Sequence, residues 1–297
     1  MVPPIVIGAH PKRHEPEPIE LGLMLSRLTH APIDIVGTFW FDATPQGTAS
    51  VDYSQSLRDE VHQALGQANG NLDPACGEVR VHVGFGPAKY ALHETASRVG
   101  AGLMEVGTPH RGALGRIALG STTDRVLSGA PCPVAVAPRG FRDEVVTPER
   151  IGVAFVDTPG GWAALRAGAA IARHTGAGLI AYTVTKRDIR EASRDRAKVA
   201  VERAIAAHAR DIHSEARVLT NGGTDALVSE SHNLDFLVRG FRGHGPMHAP
   251  TAFGPPSNLA RQVACPFVVV PAAVDQPLMA LFGAHAGVTG NASPTRP

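Results

Sequence analysis

The stretch that decides the fold is Val106–Pro138, VGTPHRGALGRIALGSTTDRVLSGAPCPVAVAP. It reads in order as a strand end, a glycine-rich loop, a short helix opened by Ser121-Thr122-Thr123-Asp124, a Pro-Cys-Pro break and an apolar strand. Glycines allow a backbone to approach a phosphate closely, and a helix start adds N–H donors and the positive end of the helix dipole. The stretch therefore predicts either an anion site or a tight turn in which Ser121 only caps the helix.

Apolar strands alternate with amphipathic helices before this block. The pattern predicts strands at 5–8, 33–41, 78–83, 102–106 and 134–137, with helices at 16–30, 53–68 and 87–99. Such alternation is typical of right-handed βαβ units and a mainly parallel sheet.

The same pattern starts again at residue 151. Strands are predicted at 151–156, 178–184, 215–219, 234–239 and 267–270, with helices at 160–175, 188–211, 224–231 and 257–263. Ala264–Pro271, ACPFVVVP, matches Ala130–Pro138, and Cys265 follows Cys132 by 133 positions. The same offset takes Gly107 to Gly240. The chain is thus an internal repeat of two like domains.

The repeat sets the predicted domain limits. Domain 1 spans 1–139, a linker spans 140–149, domain 2 spans 150–272, and 273–297 form a mobile tail in which 278–282 make one helical turn. The last strands of the two domains are short and apolar, so we expect them to pair within the chain as a pseudo-dimer. Association of two chains into a homodimer is also possible on this reading.

Composition excludes several function classes. The chain has 297 residues, with 28 basic and 27 acidic side chains and 5% aromatics, which disfavours nucleic-acid binding. We expect no signal peptide and no membrane span. Three cysteines without a Cys-x-x-Cys pair suit a cytoplasmic protein and indicate no metal site. Cys132 and Cys265 read as small buried hydrophobes in preference to a redox switch. No catalytic residues are predicted.

At this point the chain resembles the universal stress protein family in its tandem two-domain form. The resemblance rests on the 107–138 block and on RIGVAFVDTPGGWAALRAG at 150–168, and it covers residues 4–271. It implies an α/β fold with two doubly wound five-stranded parallel sheets of strand order 3-2-1-4-5. In this family, ligands bind beyond the carboxyl ends of the strands, at the switch between strands 1 and 4, as in open α/β sheets generally.

The resemblance also implies an adenine-nucleotide site in domain 1. ATP-binding members carry two glycines and a Gly-Ser or Gly-Thr pair after strand 4, and an aspartate after strand 1. Here His110 stands at the second glycine and His10 at the aspartate, while Arg111 could supply a donor. The candidate residues are His10, Thr38, Val106, Gly107, His110, Arg111, Gly120, Ser121 and Thr122.

Domain 2 departs further from the family pattern. Gly240 and Gly243 fit the first two glycines, but Phe253-Gly254 replaces the Gly-Ser pair, with prolines around it that lack N–H donors. Asp157 falls about one place past the aspartate position. We therefore expect a degenerate site, in which Arg239, Arg242 and His244 are read as exposed charges in preference to an anion cluster.

Three functional hypotheses follow. The first is a cytoplasmic, non-enzymatic stress-response protein that binds ATP or AMP in domain 1 and is recognised by a protein partner. The second is a nucleotide-independent scaffold of the same fold, favoured by His10 and His110. The third is a slow ATP hydrolase, which lacks an evident base or metal carboxylate.

Overall fold

A computed structural model describes residues 1–9, 16–39, 77–108, 122–142, 147–185, 191–220, 223–241, 256–272 and 274–283. The predicted helix over 53–68 lies outside these residues. Among them, no helix is long and apolar enough to cross a membrane.

The first half of the chain forms five parallel strands. Its elements are β1 Ile5–Ala9, α1 Glu17–Thr29, β2 Ile33–Phe39, β3 Val79–Phe85, α2 Ala88–Val99, β4 Leu103–Gly107, α3 Thr122–Leu127 and β5 Val134–Ala137. The strands lie in the order β3-β2-β1-β4-β5, which confirms the predicted order 3-2-1-4-5.

The second half has the same topology. Its elements are β6 Arg150–Ala154, α4 Pro159–Thr175, β7 Gly178–Val184, α5 Glu191–His208, β8 Ser214–Leu219, α6 Gly223–Glu230, a 3₁₀ turn Ser231–Asn233, β9 Phe236–Phe241, α7 Pro256–Ala260, β10 Phe267–Pro271 and α8 Gln276–Gly283. The strands lie in the order β8-β7-β6-β9-β10, again with parallel neighbours.

The two halves join through their last strands. β5 and β10 pair antiparallel, with Val134 opposite Val269 and Val136 opposite Phe267. All four side chains are buried. The two five-stranded sheets are therefore one continuous ten-stranded sheet, and the edge of each half is covered by the other.

Helices cover both faces of this sheet. Buried side chains of α1, α4 and α8 share one apolar cluster, and those of α2, α3, α6 and α7 share the other. Each cluster includes residues from both halves of the chain. The hydrophobic core is therefore continuous across the β5–β10 junction.

Residues 276–283 form the two-turn helix α8, which confirms the helical turn predicted at 278–282 and extends it at both ends. The mobile tail predicted from residue 273 therefore begins too early. Leu278, Leu281 and Phe282 are buried against α4 and the start of β4. Asp275, just before the helix, accepts a 2.6 Å hydrogen bond from Nε of Arg166 on α4. Three apolar side chains on one helical face dock this short segment, because packing on the core stabilises a helix too short to form alone.

Candidate functional site

The topological switch point of the first half lies at the carboxyl ends of β1 and β4. These strands are neighbours, yet the chain leaves β1 toward β2 on one side and leaves β4 toward β5 on the other. Residues near the start of both strands are buried, whereas Ala9 and Gly107 at their carboxyl ends are half-buried. Doubly wound sheets generally bind ligands in the crevice outside such a switch point.

Four predicted site residues fall within the described part of the chain. Thr38 is half-buried near the end of β2, opposite Gly84. Gly107 is half-buried opposite Ala137. In addition, Val106 is buried in the core and Thr122 is the first residue of α3. Thr38, Val106 and Gly107 therefore lie at one end of the sheet, flanking β1. The other candidates, His10, His110, Arg111, Gly120 and Ser121, lie outside the described residues.

Thr108 is a residue of this region that sequence reasoning missed. Its Oγ1 donates a 2.6 Å hydrogen bond to the carbonyl oxygen of Ala137, the last residue of β5. The bond fixes the first loop residue after Gly107 against the neighbouring strand. No local sequence pattern predicts this hydrogen bond, because Ala137 lies 29 positions away in the chain.

Glu105 is a second unexpected feature. This glutamate is fully buried in β4, between Ile7 and Ala135 in register. Both carboxyl oxygens lack a hydrogen-bond partner among the described residues. Burial raises the pKa of Glu105 well above its usual value, because the charged form is poorly solvated there. The feature that could have identified this residue from the sequence is a single acidic side chain in an otherwise apolar predicted strand.

The crevice of the second half has a different geometry. A Cβ on Gly240, at the end of β9, would lie 1.9 Å from the carbonyl oxygen of Gly160 in the first turn of α4. Gly168 of α4 and Gly22 of α1 occupy matching positions, each against a first-strand side chain, Val153 and Ile7 respectively. α4 begins nine residues before Gly168, whereas α1 begins five residues before Gly22. The start of α4 is therefore longer by four residues, about one turn. The extra turn of α4 is the part that packs on β9.

The carboxylate of Asp157 is hydrogen-bonded to a neighbouring side chain. Its Oδ1 accepts a 2.8 Å hydrogen bond from Nε1 of Trp162. The indole in turn packs edge-on against Phe155 and His208. The carboxylate that lies closest to the family's aspartate position is thus anchored to the first turn of α4.

The expectation that Arg239 is an exposed charge is wrong. Only 4% of Arg239 is exposed, and burial lowers its pKa to about 10. The 133-residue offset places Arg239 at the position of Val106, so a buried cation in one half replaces a core valine in the other. Arg242 and His244 lie outside the described residues.

A chain of polar side chains lies on the outer strands of the first half. Arg98 Nη2 is 3.3 Å from Nδ1 of His82, and Nε2 of His82 is hydrogen-bonded to buried Asp34. Arg80 also lies 3.4 Å from Asp34. An arginine can only donate, so His82 accepts at Nδ1 and donates from Nε2. The cluster belongs to β2, β3 and α2, away from the β1–β4 crevice.

Neither the cysteines nor the acidic residues suggest a metal centre. Cys132 and Cys265 are free and buried, as the sequence indicated. Within the described ranges, no cluster of three histidine, cysteine or acidic residues could hold a metal ion.

The fold is an α/β fold of the doubly wound type. Residues 4–138 match the family model described as "Universal stress protein family". The first half of the chain therefore belongs to the universal stress protein family, which confirms the resemblance for residues 4–138.

Solved structures extend the likeness over both halves. A universal stress protein from Archaeoglobus fulgidus DSM 4304 superposes with a TM-score of 0.67 at 15% identity, covering 91% of this chain and 96% of that one. A putative universal stress protein from Pseudomonas aeruginosa UCBPP-PA14 gives 0.58 at 13% identity, covering 95% and 97%. A functionally unknown protein from Pseudomonas aeruginosa PAO1 also gives 0.58, at 14% identity, covering 96% and 98%. At these identities the likeness concerns the fold.

Proposed function

We propose that the chain is a non-enzymatic stress-response protein whose first half binds an adenine nucleotide, ATP or AMP, as a regulatory ligand. The observation that carries the proposal is the family match over 4–138, the half in which β1 and β4 end in half-buried residues at the switch point. The proposed ligand lies against Thr38 and the end of β1, with its phosphates toward Gly107, Gly120 and Ser121. Arg111 and His110 supply further donors.

The second half is proposed as a structural partner without nucleotide. The extra turn of α4 against Gly240 and the Asp157–Trp162 bond support this assignment. The domain limits 1–139 and 150–272, with a linker at 140–149, are part of the proposal. The proposal also includes a protein partner that recognises the nucleotide-bound form. The odd number of cysteines favours the cytoplasm as the compartment.

Calorimetry with ATP and with AMP on the purified chain tests the proposal. We expect binding at sub-millimolar ligand in the wild type and none in Gly120→Val. The matched control is Gly254→Val, beside the corresponding site of the second half, which leaves binding unchanged if only the first half takes nucleotide. Equal affinity in Gly120→Val would reject the assigned loop.

A nucleotide-independent scaffold is the second candidate. It is favoured by His10 and His110, which stand where the family carries an aspartate and a glycine. The absence of any binding heat for either nucleotide would select it. Phosphate release above blank that is lost in Ser121→Ala would instead revive the hydrolase hypothesis.

A further inference from the structure

His174 joins three segments of the chain. It lies on α4, and its Nε2 is 2.8 Å from the carbonyl oxygen of Leu28 in the last turn of α1. Its Nδ1 is 2.8 Å from the carbonyl oxygen of Phe282 in α8, whose ring it also contacts edge-on at 5.6 Å. One side chain of the second half therefore holds a helix of the first half and the helix that follows β10.

Glu105 lies beneath the same helix, α1. A Cβ on Gly22 would be 2.9 Å from Oε2 of Glu105, so the carboxyl group sits directly under the middle of the helix. Both of its oxygens are buried without a partner among the described residues. An ionised carboxylate in such a place carries a desolvation cost of several kcal/mol, so this packing accepts the neutral acid.

We propose that the docking of α1 depends on a proton at Glu105, so that the packing of α1 on β4 strengthens as the pH falls. Because His174 bonds the last turn of α1 to the second half, α1 is also the helix that links the two halves. The inference does not depend on nucleotide binding.

Few other charges bear on Glu105 in the described structure. The buried positions of α1 are all uncharged: Pro18, Leu21, Gly22, Met24, Leu25, Ser26 and Thr29. Its ionisable residues are Glu17, Glu20 and Arg27, followed by His30 at the helix end. α8 has none, β1 and β5 have none, and on α4 the cations Arg166 and Arg173 are paired with Asp275 and Asp211.

The sign of the pH effect follows from the neutral state of the buried acid. Because the folded-state pKa of Glu105 is raised, its contribution is fully present below the unfolded-state pKa and is lost as the pH rises toward the folded value. A proton that only the folded state holds makes the opening constant rise by up to about tenfold per pH unit.

Hydrogen exchange of the α1 amides in the full chain tests the proposal. The opening constant, corrected for intrinsic exchange, is followed between about pH 5 and pH 8 in the wild type and in Glu105→Gln. Glu105→Gln keeps the size of the side chain but cannot titrate. We expect a steep rise of the opening constant with pH in the wild type and a shallower rise in Glu105→Gln.

The matched control is His30→Asn. His30 is exposed at the end of the same helix with φ 55°, a conformation that asparagine also tolerates. This variant should keep the wild-type slope, and amides of α5 in the second half should show no change between Glu105→Gln and wild type. A wild-type slope that survives in Glu105→Gln would overturn the proposal. Glu105→Val, which copies Val238 of the second half, repeats the test if the glutamine variant does not fold.

Discussion

Gly160 and Gly240 meet backbone to backbone, where the first turn of α4 crosses the end of β9. A side chain on Gly240 has no room, because its Cβ would lie 1.9 Å from the carbonyl oxygen of Gly160 and 2.8 Å from the nitrogen of Gly161. Neither obstacle is a movable side chain. This contact lies at the end of β9, which corresponds to the end of β4 in the first half.

Gly240→Ala should therefore destabilise the chain strongly. We expect a loss of at least about 3 kcal/mol in the free energy of unfolding, because backbone has to move to admit the methyl group. Urea denaturation of the variant beside Gly178→Ala checks this. Gly178 is a suitable control because its nearest neighbours would stand 3.7 Å from a new Cβ. Equal losses in the two variants would contradict the close contact.

Helix α8 packs on the core, so a truncation that removes it should lower the stability of the chain. Ending the chain at Asp275 removes Leu278, Leu281 and Phe282, all buried, and exposes the surface of α4 and Gly102 that they cover. At about 1.5–3 kcal/mol for each buried side chain, the expected loss is roughly 5 kcal/mol.

Ending the chain at Gly283 is the matched control, because it keeps the whole helix. This shorter chain should unfold at the same temperature as the full chain in a thermal melt followed by circular dichroism. A chain cut at Asp275 that melts with the other two would show that α8 contributes nothing to stability.

The periodic parts of the fold were predictable from the sequence. The strand order of the first half follows from the alternation of strands and helices together with the family resemblance, and the β5–β10 pairing was expected from two short apolar strands. These features depend on local patterns of apolar residues, which survive in a single sequence.

Features that depend on long-range packing were not predictable. Arg239 was read as an exposed charge, and only the fold shows that β9 is buried on both faces. Glu105 was read as part of an apolar strand, and the helix above it is α1, Glu17–Thr29, which is far away in the sequence. The docking of α8 depends on Gly102 and α4, which no pattern within residues 273–297 specifies.

The buried cysteines should not react in the native state. Burial raises the pKa of Cys132 to about 12 and that of Cys265 to about 12. At pH 8 the reactive thiolate is then about one part in ten thousand, before access is considered. Peptide mass spectrometry after iodoacetamide treatment should find both sites unlabelled in native protein and labelled in urea. Rapid native labelling of either would contradict its burial.

Thr108 should stabilise the start of the glycine-rich loop through its hydroxyl. Thr108→Val keeps the shape of the side chain but removes the 2.6 Å bond to the carbonyl oxygen of Ala137. We expect a loss of about 1 kcal/mol in the free energy of unfolding, typical of a lost side-chain hydrogen bond. If the proposed nucleotide site is correct, affinity for ATP should fall as well, because the residue after Gly107 is no longer fixed. Thr108→Ser keeps the hydroxyl and should retain both properties, whereas a serine variant as impaired as the valine one would assign the effect to packing of the methyl group.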